Sequence, residues 1–205
     1  MSGNPKPLSL EVFKDAATPE VDIDPVIDAM QMVRRAKVGI EMVRAARTVK
    51  IGTNDRIIPD NINWPSFPAD INLVLTKRHI GRSSESSFAS LWRDSSVNGH
   101  RIGLVKTSET DADIMVAEVI GQLLGVEHEH GNSDNLCVMD DHGLRVARSA
   151  LSMLSDLESF LRTGKHEQKE IPEVYCQRCA SQLGMNAYYL ARAKAGDAIP
   201  ESLIK

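Results

Sequence analysis

The segment from Thr110 to Gly125 constrains the fold of this chain more than any other, because it carries helix signals at both ends. Thr110 stands as an N-cap with Asp113 three residues on, which resembles a capping box with Asp in place of Glu. Ile114, Ala117, Ile120, Gly121 and Leu124 define one face, and Gly125 is a natural C-terminal stop. A polar loop with histidines follows, and then Cys137-Val138-Met139. A helix with one apolar face has to lay it against another surface.

The rest of the chain reads as short strands and helices. Leu10 and Val12 alternate with Ser9, Glu11 and Phe13, a strand pattern. Asp24 and Pro25 start a helix, with Asp as N-cap and Pro at the first helical position. Ala29, Val33, Ala36, Ile40 and Val43 continue it at helical spacing to about Ala46. It begins acidic and ends basic, as a helix dipole favours. Val49 to Ile58 is expected to be a strand, Asn61 to Asp70 a proline-rich loop, and Ile71 to Leu75 an internal strand. Residues 81 to 100 are rich in Ser, Gly and Asn, with one apolar stretch at Phe88 to Trp92. Arg101 to Lys106 is a further strand and Leu144 to Leu161 a further helix. Cys176-Gln177-Arg178-Cys179 leads into a last helix over about Gln182 to Ala195. The order predicts a mixed α/β (α+β) fold: a flexible arm over 1–8, the main domain over 9–164, and a C-terminal CxxC-and-helix appendage over 165–205.

Composition removes several function classes. The 205 residues carry a net charge of −4, so no global basic field invites nucleic acid or membrane. Aromatics are 4% of the chain, too few for base-stacking platforms, so the core rests on aliphatic residues. The basic face of Arg34, Arg35 and Lys37, with Arg178, reads as solvated rather than as a nucleic-acid surface. No run reaches the roughly 18 apolar residues of a membrane span. Three cysteines cannot close a disulfide set, which points to metal ligands or free thiols in a reducing compartment. The chain is expected to be cytoplasmic. His79, His100 and His166 read as surface residues.

Glu118 to Met139 reads EVIGQLLGVEHEHGNSDNLCVM. This resembles the metzincin zinc-protease signature, H-E-x-x-H-x-x-G-x-x-H followed by a Met-turn. The matching residues are Gly121, Leu123, Leu124, Gly125, His128 and Met139. In that family two helix histidines and a third beyond the glycine hold zinc, and the Glu after the first His is the general base. Here Glu118 stands at the first His, Val119 at the general base and Gln122 at the second His; only His128 remains. Valine cannot accept a proton, so the family mechanism is not available. Glu118, Gln122 and His128 leave open an oxygen-rich metal site. The element order also resembles metzincin catalytic domains: strand, long N-terminal helix, strand, Asp-led strand from Asp70 to Thr76, an edge strand at Arg101 to Lys106, zinc helix, Met-turn, and a final helix around SDLESFLR (155–162).

Within the metzincins, the cysteines resemble those of the archaemetzincins, which place one Cys two residues before the Met-turn Met and a later C-x-x-C. The resemblance implies that Cys137, Cys176 and Cys179 hold a structural zinc. The family's fourth Cys is absent, since Glu129 follows His128; His130 would replace it, with His128 or His142 as alternatives. Free buried thiols and redox chemistry are the competing readings of the cysteines. The functional expectation is a catalytically inactive metzincin-like domain with structural zinc, acting in protein binding or assembly. Its peptide partner would lie in a cleft lined by residues 83 to 106. The alternative is an active zinc-dependent metallopeptidase with a non-standard ligand set, using Glu127, Glu129 or Asp113 as base. No nucleic-acid or membrane partner is expected, and the oligomeric state stays open.

Overall fold

The computed structural model describes residues 6–52, 54–58, 62, 67, 69–81, 89–92, 101–107, 112–126, 137–139 and 175–194, with backbone alone at 44, 45 and 89–92. The described strands are β1 (Leu8–Asp15), β2 (Ile40–Val49), β3 (Arg56–Ile57), β4 (Ile71–Thr76), β5 (His79–Ile80), β6 (Ala89–Trp92) and β7 (Arg101–Lys106). The helices are α1 (Asp24–Arg35), α2 (Ala112–Leu123) and α3 (Gln177–Lys194). Five strands form one mixed sheet in the order β2-β1-β4-β7-β6. All neighbours are parallel except β6, which runs antiparallel to β7 at the edge. β3 and β5 form a separate parallel pair.

Two sequence expectations are corrected. The helix begins at Asp24, with Ile23 rather than Asp24 at its N-cap, and stops at Arg35; Ile40 to Val49, expected as its second half and a following strand, is strand β2. Lys37 takes a left-handed φ of 58° and turns the chain. Ile40 and Val43 fit helical spacing, but β2 pairs with β1 from Leu8↔Ile40 onward, and that tertiary ladder decides. Among the described residues of 49–58, Val49, as the end of β2, and β3 lie in strands. The second correction concerns the edge: Arg101 to Lys106 lies inside the sheet between β4 and β6, and Ala89–Trp92 (β6) supplies the edge among the described strands. Thr110 and the expected helix over 144–161 lie outside the described residues.

Both faces of the sheet are covered. Leu8, Leu10, Val12, Ile71, Leu73, Leu75 and Val105 join the core beneath the helices. Phe13, Val74, Ile102 and Leu104 join a smaller cluster with Ile51, Ile57, Phe67 and Ile80 on the other face. This explains why the expected alternation in β1 is incomplete: Glu11, Phe13 and Asp15 are as buried as Leu10 and Val12. Glu11 is neutralised by Arg47 at 2.7 Å, whose guanidinium lies over the Phe13 ring. Asp15 accepts from Thr76 Oγ1 at 2.8 Å and pairs with buried Arg78.

Helix α2 is the centre of the packing. Ten of its residues are buried and only Glu118 and Gln122 are not. It packs on α1 on one side and on β7 and β6 below. Gly103 in β7 permits that approach. A Cβ there would lie 2.4 Å from Val119 Cγ1, 3.0 Å from Leu73 Cδ2 and 3.2 Å from Leu123 Cδ1. The helix ends in a Schellman motif: Gly125 has φ +75°, its N–H donates to Gln122 O, and Val126 N–H donates to Gly121 O at 3.0 Å.

Gly103→Ala is therefore expected to destabilise the fold by about 1–3 kcal/mol, because β-branched Val119 cannot move aside without strain. Urea unfolding of the double variant with Val119→Ala should show less than the summed loss of the two single variants. A second prediction concerns Asp70, which accepts from Ser9 N, Ser9 Oγ and Lys194 Nζ, each at 2.7 Å. Partial burial pushes its carboxyl up, but the Lys194 ammonium and the Ser9 donors outweigh burial and hold it below its ordinary value of 3.8. Its stabilising contribution is thus complete above the unfolded value and lost as pH falls through the lower folded one. Asp70→Asn should lower stability at neutral pH and flatten the acid limb of the stability curve, read by circular dichroism.

Candidate metal centre

Three thiols converge although 39 residues of chain separate Cys137 from Cys176. The sulfur atoms of Cys137, Cys176 and Cys179 all lie within 4.8 Å of one another, and none is in a disulfide. Local structure explains the C-x-x-C half of this set. Cys176 immediately precedes α3, and Cys179 sits in the first turn. The Cys179 N–H donates to Cys176 Sγ at 3.5 Å, so the sulfur takes the place of an N-capping oxygen. The Cys176 N–H in turn donates to Cys137 Sγ at 3.3 Å and joins the two segments.

The electrostatics of the three differ. Burial pushes the Cys137 thiol up, and burial followed by the charge of Cys137 pushes Cys179 up as well. Burial also works against ionising Cys176, but the backbone N–H groups of Cys179 and Arg178 and its neighbouring thiols hold it below its ordinary value of 9.0. One thiol is thus prepared for ionisation at the helix N-terminus, beside two that a cation would have to ionise. Thiolates on one tetrahedral zinc stand about 3.8 Å apart for a bond of about 2.3 Å. The observed spacing needs only a small inward closure, so the donor set fits zinc chemically and geometrically.

Buried Tyr175 ties this cluster to α2: its hydroxyl donates to Ala117 O at 2.6 Å. The next turns of α3 cover the end of α2. Asn186 Nδ2 donates to Leu124 O at 2.8 Å and Gln182 Nε2 to Gly125 O at 3.4 Å, satisfying carbonyls that the helix leaves open. Neither Tyr175 nor Asn186 stands out in the sequence as part of a site, because a buried hydrogen bond to a distant carbonyl leaves no local pattern.

The second candidate region is the exposed edge of α2. Glu118 and Gln122, one turn apart, are half-buried, and Gln122 Nε2 donates to Glu118 Oε1 at 2.7 Å. Val119, between them, is fully buried against Gly103. Met139 packs under the same helix, its sulfur 2.5 Å from where a Cβ on Gly121 would lie. Asp113 is buried in the first turn. His128, His130, His142, Glu127 and Glu129 lie outside the described residues, as do His100 and His166, while His79 is exposed on β5.

With this geometry in view, comparison with solved structures is informative. Archaemetzincin from Methanopyrus kandleri superposes with a TM-score of 0.55 at 12% identity, over 88% of this chain and 95% of that one. The fold is archaemetzincin-like. No protein-family model matches the chain, and no curated protein matches it. The likeness extends over most of both chains and concerns the fold alone. Among the described residues, no helix is long and apolar enough to cross a membrane.

Cobalt(II) added to the reduced protein is expected to give thiolate-to-metal charge-transfer absorption. Cys137→Ser, Cys176→Ser and Cys179→Ser should each weaken the band. An unchanged spectrum in any of them would remove that residue from the ligand set.

Proposed function

We propose that this archaemetzincin-like domain is catalytically inactive, is stabilised by a structural zinc, and works by binding a protein partner or joining an assembly. The observation that carries this reading is the state of the α2 edge. The resemblance to metzincins assigns Glu118, Val119 and Gln122 to the first zinc ligand, the general base and the second zinc ligand. Glu118 and Gln122 hydrogen-bond to each other, and an amide is a weak zinc ligand. Val119 is packed into the core and carries no group that accepts a proton. The residues present therefore do not fit a catalytic zinc of the family type.

The cysteine cluster fits a different task. A closed set of three thiolates and one imidazole leaves no open coordination position, and the metal then supplies folding energy rather than catalysis. His130 is our choice for the fourth ligand, with His128 and His142 as its alternatives. Holding Cys137 against the start of α3 locks Met139 and Tyr175 under α2, so the metal stabilises the scaffold around the dismantled site. The strand β6, antiparallel and outermost among the described strands, is where an extended peptide would add to the sheet. Binding without cleavage along that edge, in the cytoplasm, is the role we assign.

Elemental analysis of the reduced, untagged protein tests the proposal. One zinc per chain is expected, lost in Cys176→Ser together with a fall in Tm of roughly 10 °C. No hydrolysis of peptide substrates should accompany it. A second metal retained in Cys176→Ser, with peptidase activity blocked by chelator, would establish instead an active metallopeptidase with a non-standard ligand set.

A further inference from the structure

A cleft of about 850 Å³ opens between the C-terminal end of α1 and the outer side of α3. Its size falls within the range of small-molecule sites. The two walls converge where the Ala36 carbonyl lies 3.9 Å from the place a Cβ would take on Gly184. Along α3 the positions facing the cleft include Ala180, Gly184, Ala187 and Ala191, so small side chains keep it open. Met32 from α1 and Met185 and Tyr188 from α3 make the walls apolar, and Met185 and Tyr188 remain 54% and 45% exposed.

Among the described residues, the charge around this apolar space has one sign. Lys6, Arg35 and Lys37 line it, and among the described residues no acidic side chain does. None of the three forms an ion pair with another described residue. Lys37 carries a further signal. It follows the C-cap of α1 and has φ 58°, alone among the described non-glycine residues in having a positive φ. Glycine serves that position at less cost. Arg34 and Arg35 already place positive charge on the last turn of α1, so the helix dipole does not call for a third cation in a left-handed conformation. Backbone strain kept at the rim of a one-sign cleft is accounted for when the ammonium meets an anion there.

We propose that the α1–α3 cleft binds a small amphipathic organic anion. Its apolar chain or ring lies against Met32, Met185 and Tyr188, and its carboxylate or phosphate is held by Lys6, Arg35 and Lys37. This site is independent of the cysteine cluster's metal and of the role assigned to the sheet edge.

The test uses the full chain and the fluorescent sulfonate 8-anilinonaphthalene-1-sulfonate as probe. Saturable binding is expected, displaced by dodecanoate and by dodecyl phosphate below their micellar concentrations, and at least tenfold less well by dodecyltrimethylammonium. Gly184→Leu fills the cleft; the added Cβ meets only ordinary contact, and leucine favours a helix, so the variant should fold and lose probe binding. Lys37→Gly should raise Tm by roughly 2 °C while weakening dodecanoate binding about fivefold or more. A cation serving only the helix end would leave that affinity unchanged, which would overturn the assignment of Lys37. Probe binding unaltered in Gly184→Leu, or equal displacement by the dodecyl cation, would overturn the site. Binding to phosphatidylserine vesicles without binding to monomeric dodecanoate would replace it with a membrane surface.

Discussion

The approach of α2 to β7 at Gly103 is the contact on which the rest of the structure depends. The glycine lets Val119 and Leu123 come down onto the sheet, where any side chain would meet them. Once α2 is that deep, nearly all of its circumference is core, with α1 beside it, the strands below and Met139 against Gly121. Close packing of this kind turns a helix that reads as amphipathic into one buried almost all round. What stays half-open is the strip bearing Glu118 and Gln122.

Burying a helix so completely creates a problem at its end, where carbonyls lack partners. The solution links the two candidate regions. Gly125 folds the backbone back through its own N–H and that of Val126, and Asn186 and Gln182 of α3 reach the remaining carbonyls. Those contacts require α3 to sit in one place, and its first turn holds Cys176 and Cys179. Cys137 and Met139, two residues apart, then face the start of α3 and the underside of α2 respectively. A metal at the three thiols would clamp the turn that supports α2.

The sequence was most legible where signals are local. Gly125 as a helix stop depends on φ at one residue, and the structure places it at +75°. The C-x-x-C leads into a helix as expected, but that helix starts at Gln177 rather than about Gln182 and takes Cys179 into its first turn. Ile71 to Leu75 and Arg101 to Lys106 are apolar runs too short for a helix, and both are strands. Legibility failed where pairing decides. Ile40 to Ala46 carries helical spacing, yet β1 recruits it as a neighbouring strand after the turn at Lys37. Arg101 to Lys106 was placed at the edge, but edge and interior strands differ only in what lies beside them, and β6 lies beside β7.

What the sequence determined by itself is the chemistry available: no proton acceptor at Val119, an amide at Gln122, three thiols and no disulfide set, and a helix that must end at Gly125. These follow from side-chain identity and from backbone preferences at single residues. Only the tertiary structure decided which of these groups meet. It brought Cys137 to Cys176 across 39 residues, because Tyr175 and Asn186 dock α3 on α2 through hydrogen bonds to backbone carbonyls, which no sequence pattern records. It also formed the cleft above Gly184, because two helices far apart in the chain converge at Ala36 and then diverge.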